Sequence, residues 1–155
     1  MIYVDLDGVL ADFDARATLL FGKHPRQAER EDGSEWFWQT IAKEHYFYLT
    51  LPRMADASLL WDGVLFFEPK PIILTGVPSS MPWAADHKKA WCADQFPGTQ
   101  VITCFSRDKA KYCKPRDILI DDWEKYKDLW EQAGGRFITH TSAQRSLDEL
   151  RSYGV

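Results

Sequence analysis

The sequence contains no apolar run of about 18 residues or more, so no membrane-spanning helix is expected. It has no surplus of basic residues. The formal net charge is −4, which leaves no electrostatic footprint for a nucleic-acid backbone. Cysteine is scarce and odd in number. Cys92, Cys104 and Cys113 show no zinc-type spacing, so buried structural thiols in a reduced, intracellular setting are the expectation. The four histidines, His24, His45, His87 and His140, lack a His-x-x-x-His spacing and read as surface or capping residues. There is no internal repeat and no low-complexity tract. No signal-peptide pattern precedes the first apolar run, and a cytoplasmic protein is expected. A small-molecule partner is the expectation on the strength of the polar residues at the ends of the predicted strands, and these absences give no sign of a nucleic-acid polymer or a membrane as partner. They leave the oligomeric state open, a homodimer included.

What the chain has is length for one domain with a real core, and many rings. Its 155 residues include seven Trp, nine Phe and six Tyr. Short apolar runs alternate with helical patterns. Residues 2–6, 71–76, 101–105, 117–122 and 137–139 read as strands; 12–22, 35–45, 53–66, 82–95, 123–133 and 142–152 read as helices. The charged stretch 23–34 reads as a solvated surface loop. Strands alternating with helices predict an α/β fold, a three-layer Rossmann-like parallel sheet covered on both faces. About 65 residues separate the first two strands, too many for one crossover helix. A small helical cap is therefore expected after strand 1, over 14–52, with 1–13 and 53–155 forming the core domain.

Three of the strands run into polar groups. The first leads into Asp5-Leu6-Asp7-Gly8, the second ends at Thr75-Gly76, and the fourth at Asp121-Asp122. A parallel sheet brings all such ends to one edge, where ligands of open α/β sheets collect. Carboxylates there attract a hard cation, and the cation attracts phosphate. A lysine completes the set. Lys109 in Ser106-Arg107-Asp108-Lys109 is the candidate; Lys111 and Lys114 lie nearby, and Lys88-Lys89 read as a solvated helix face. Asp5 can attack phosphorus, Asp7 can act as acid and then base, and Thr75 and Lys109 can bind phosphoryl oxygens. The plainer readings are a helix cap for Thr75 and Asp121-Asp122, and a surface lysine for Lys109.

Asp5-Leu6-Asp7-Gly8-Val9, Thr75, Lys109 and Asp121-Asp122 resemble, in order, the four motifs of the haloacid dehalogenase superfamily. The resemblance implies that Asp5 is the nucleophile, that Asp7 marks a phosphatase or phosphomutase, and that the insertion is a C1-type cap. It implies Mg²⁺ on Asp5, Asp121 and Asp122, with Asp7 contributing its backbone carbonyl. The longer run Asp5 to Phe13, together with Trp36-Phe37-Trp38, Ser106 to Lys109 and Leu119 to Asp122, is similar to the 5′(3′)-deoxyribonucleotidases. That similarity implies a substrate pocket at Phe13, Phe37, Trp38, Thr75, Gly76 and Lys109, with the rings facing a base. Gly76 departs from the pattern, in which a Ser usually follows the Thr. The aromatic segment 36–48 reads equally well as cap core.

The leading expectation is a Mg²⁺-dependent phosphomonoester hydrolase working through an aspartyl phosphate, on a deoxynucleotide if the closer resemblance holds. A phosphotransferase or mutase shares the same motifs. So does a non-catalytic relative that binds a phospho-ligand. A receiver domain uses similar residues, but in a different order along the chain.

Overall fold

A computed structural model describes all residues, 1–155. Five strands, β1 (Ile2–Val4), β2 (Ile72–Gly76), β3 (Val101–Cys104), β4 (Ile118–Asp121) and β5 (Arg136–Thr139), form one sheet. Its order is β3-β2-β1-β4-β5 and every pairing is parallel. The expected α/β sheet is therefore what the chain forms, with β1 at its centre.

Alternation along the strands splits the sheet into two faces. Ile2, Val4, Ile73, Ile118, Ile120 and Ile138 point to one side, into an apolar cluster of 29 buried residues. Helices α4 (Ala57–Val64), α5 (Ala84–Gln95) and α7 (Ala143–Ser152) supply Leu60, Trp61, Trp91, Leu147 and Leu150 to that cluster. Tyr3, Ile72, Leu74, Leu119 and Phe137 point to the other side, against Trp130 of α6 (Lys127–Gln132). Burial on both faces is why these strands read as continuous apolar runs. No helix is long and apolar enough to cross a membrane.

Between β1 and β2 the chain builds α1 (Phe13–Phe21), α2 (Pro25–Asp32) and α3 (Ser34–Lys43). The two ends of this excursion are stitched together. The Asp12 N–H donates to the Pro52 carbonyl at 2.7 Å, and the Met54 N–H to the Leu10 carbonyl at 2.9 Å. Asp12 also caps α1, its carboxylate accepting from the Ala15 N–H at 3.0 Å. The inserted helices have no core of their own. Ala17, Ala28, Phe37, Ile41, Phe47 and Tyr48 belong to the same 29-residue cluster as the sheet.

Four local expectations need correction. Residues 25–32 are a helix, not a loop. Pro25 sits in its first turn, the His24 side chain accepts from the Arg26 N–H, and Gly33 ends it with φ 91°. Only Pro25 and Ala28 of α2 are buried, so no apolar stripe announces the helix. The helix expected over 123–133 is a 3₁₀ turn at Glu124–Tyr126 followed by the short α6. The helix expected from 53 begins only at Ala57, because 52–54 are tied to 10–12. His140 is buried rather than superficial, with Nδ1 2.7 Å from the Ser146 hydroxyl beneath α7.

Candidate active site

Strand register delivers the site. Val4 pairs with both Ile73 and Ile120, so Asp5 comes level with Asp121 at the carboxyl edge and Thr75 stands one position further along β2. The Asp5 N–H donates to the Ile120 carbonyl at 2.9 Å, which holds the residue in line with β4. Beyond it Gly8 turns with φ 78°, and a Cβ there would collide with the Asp122 carboxylate. Glycine thus serves two needs at once, left-handed backbone and close approach.

Lys109 reaches this edge from a 3₁₀ segment, Ser106–Tyr112. Its Nζ lies 2.9 Å from Asp5 Oδ1 and 2.8 Å from Asp121 Oδ2, and it is 7% exposed. Burial opposes its charge, yet Asp5 and Asp121 outweigh burial and hold its pKa above the usual lysine value. The other Asp121 oxygen, Oδ1, accepts from the Trp123 N–H at 3.0 Å. Lys111 and Lys114 are exposed. Of the three neighbouring lysines, Lys109 is the one at the carboxylates.

A second lysine is there too, one that the sequence reading assigned to solvent. Lys88 of α5 is 1% exposed. Its Nζ lies 2.8 Å from Asp7 Oδ2, 3.2 Å from Thr75 Oγ1 and 2.6 Å from the Gly76 carbonyl, over the Tyr48 ring at 4.6 Å. The signal for it is positional. Ala84, Lys88, Trp91 and Cys92 form the inward stripe of α5 at helical spacing, while Lys89 is exposed.

The carboxylates are crowded. Asp5, Asp121 and Asp122 each bring an oxygen to within 4.8 Å of the others. Burial, then Asp121, pushes Asp5 up to about 6 despite Lys109. Asp122 is exposed as a residue, but its carboxylate turns inward against Gly8; desolvation, then Asp5 and Asp121, pushes it up to about 8. A cluster of hard oxygens that repel one another is what a divalent cation relieves, so these residues fit Mg²⁺. The Asp7 carboxylate stands outside that group, drawn to Lys88. Burial raises its pKa and Lys88 opposes the rise. Its second oxygen, Oδ1, is buried with no hydrogen-bond partner.

Above the carboxylates lies a cavity of about 1050 Å³. Phe13, Trp38 and Tyr48 line it on the side of the insertion, and Phe13 and Trp38 are half-buried. Phe37 reaches the lining but is 2% exposed. It stacks on Phe21 at 4.8 Å and meets Trp38 edge-on at 5.2 Å, so it backs the wall more than it faces the cavity. Thr75 is 1% exposed, with its hydroxyl at Lys88. At Gly76, a Cβ would run into the Ser106 hydroxyl. A hydroxyl therefore stands beside residue 76 although residue 76 carries none, and sequence order gave no sign of it.

No protein-family model and no curated protein matches the chain. Among solved structures the chain is similar to a hydrolase from Streptococcus pneumoniae TIGR4, with 16% identity over 98% of this chain and 96% of that one, and a TM-score of 0.57. That likeness shows a shared fold.

Proposed function

We propose that the protein is a Mg²⁺-dependent hydrolase of small phosphomonoesters that works through a phosphorylated Asp5. The observation that carries this reading is the buried Lys109 bridging Asp5 and Asp121 at the floor of a large cavity. Asp5, Asp121 and Asp122 would hold the cation, which supplies charge neutralisation for an anionic ester meeting an anionic nucleophile. An Asp5 oxygen bonds to phosphorus as the bond to the leaving oxygen breaks, and Asp7 gives that oxygen its proton. Asp7 then takes a proton from the water that attacks phosphorus, and Asp5 is released with inorganic phosphate. Lys109 and Thr75 bind the phosphoryl oxygens as charge builds on them. The similar fold of a hydrolase agrees with this reading.

The test is phosphate release from a panel of nucleoside monophosphates, sugar phosphates and p-nitrophenyl phosphate. Activity is expected with Mg²⁺, lost in EDTA and restored by excess Mg²⁺. Release undiminished in EDTA overturns the metal; transfer to an added hydroxyl acceptor without phosphate release assigns the phosphotransferase instead.

Phe13 and Trp38 favour a nucleotide among these esters, because a base can stack on their faces. Trp38→Ala is expected to raise KM for a nucleoside 5′-monophosphate by about tenfold, the size of one lost stacking contact of about 1–3 kcal/mol. KM for p-nitrophenyl phosphate should move much less. Equal increases for both remove the stacking role.

A further inference from the structure

The cavity is rich in carboxylates at its floor and rich in cations at its mouth. At the floor, Lys88 pairs with Asp7, and Lys109 with Asp5 and Asp121. At the mouth stand Arg26 and Arg30 of α2, with Arg107 and Lys125 of the core. None of these four side chains makes an ion pair or a side-chain hydrogen bond. The acids available to α2 are engaged elsewhere: Glu31 and Asp32 both pair with Lys23. Two carboxylates share the mouth, Asp14, 3.5 Å from the His24 ring, and Glu29, which makes no ion pair, so four cations stand against two acids. Arg26 and Arg30 are four residues apart, on one face of α2. Arg107 lies over Phe105 and Lys125 over Trp123 and Tyr126, which leaves their polar sides free for an anion.

Building on the phosphatase reading, we propose that the preferred substrate carries a second phosphate, remote from the one that is cleaved, and that Arg26 and Arg30 bind it at the cavity mouth. A guanidinium fork matches phosphate oxygens in geometry as well as charge. The cavity exceeds the common range for small-ligand sites, about 300–1000 Å³, so it has room for both groups. A monophosphate docked at the floor leaves the mouth cations facing water; a bisphosphate neutralises them.

The experiment compares matched pairs: thymidine 3′,5′-bisphosphate against thymidine 5′-monophosphate, and fructose 1,6-bisphosphate against fructose 6-phosphate. With the Mg²⁺-loaded protein at low salt, kcat/KM is expected to favour the bisphosphate by about tenfold in at least one pair, as two partly exposed ion pairs would give. The preference should shrink as ionic strength rises. Removing both cations, Arg26→Gln with Arg30→Gln, should bring the ratio within about twofold of one. Removing equal charge on α7, Arg145→Gln with Arg151→Gln, should keep it. Equal kcat/KM within both pairs, or a preference that survives loss of both α2 arginines, overturns the proposal. Calorimetric binding of the same ligands to Asp5→Asn protein with Mg²⁺ separates the two readings. If wild-type protein hydrolyses nothing, the phosphatase reading fails, while a tighter bisphosphate still supports the mouth site and equal affinities still overturn it.

Discussion

Asp5→Asn is expected to lower phosphate release by at least about a thousandfold while leaving the fold intact, because it removes the attacking group and one of the three charges offered to the cation. The amide matches the carboxylate in size and still offers Lys109 an acceptor where Oδ1 stood at 2.9 Å. Lys109 keeps its second partner, Asp121, at 2.8 Å. Electrostatics work in the variant's favour. Asp5 is pushed up to about 6, first by burial and then by Asp121, so the native state holds its ionised form at a disadvantage near neutral pH. For a group raised in this way, the folded protein binds the proton more tightly than the unfolded chain. Stability from this group is full at low pH and declines as pH climbs from about 4 through 6. Neutral asparagine escapes that decline. The melting temperature at pH 7 should therefore lie within about 4 °C of wild type or above it. Phosphate release and a thermal melt on the same preparation check both halves. Wild-type-like turnover in Asp5→Asn rules out the covalent route, and a collapsed melting curve would make Asp5 a structural residue.

Where the site could be read from the sequence, one geometric rule did the reading. Polar residues at the carboxyl ends of apolar strands converge, whatever their separation along the chain. Asp5, Thr75 and Asp121 obey that rule because β1 is flanked by β2 and β4. Lys109 follows β3 closely enough to fall at the same edge. Lys88 was hidden because it arrives from a helix, and charge suggested solvent where spacing placed it on the buried stripe with Trp91 and Cys92. Ser106 beside Gly76 was hidden for another reason: Gly76 pairs with Cys104, and the turn that carries the chain from β3 into the 3₁₀ segment and sets Ser106 against Gly76 follows from no periodicity. The helix α2 was missed because a helix held by caps and two small buried residues has no hydrophobic period to detect. The same polarity that concealed it leaves Arg26 and Arg30 at the cavity mouth.

Lys88→Met is expected to leave an enzyme that accepts a phosphoryl group and is slow to release it. Burial raises the pKa of Asp7, and Lys88 is the largest influence pulling it back down. Without the ammonium at 2.8 Å, burial acts on Asp7 with its nearest counter-charge gone, and Asp7 holds its proton more tightly. A p-nitrophenolate leaving group departs without taking that proton, so Asp7 stays protonated in the phosphoenzyme and the second step loses its base. General-base loss of this kind slows a step by about 10²–10⁴-fold. With p-nitrophenyl phosphate, one equivalent of p-nitrophenolate should appear rapidly, followed by a steady state at least about a hundredfold slower than wild type. Intact-mass measurement should find the chain carrying one phosphoryl group during turnover. A merely structural loss lowers both phases together and accumulates nothing. Because Lys88 is buried, its removal also strands a carboxyl group without its counter-charge, and instability is the expected side effect. The double variant Asp7→Asn with Lys88→Met removes both charges, so it should be more stable than Lys88→Met alone and no slower than Asp7→Asn alone. Independent, multiplying losses in the double variant would mean that Lys88 acts on the phosphoryl group through Thr75 and Gly76, rather than through Asp7.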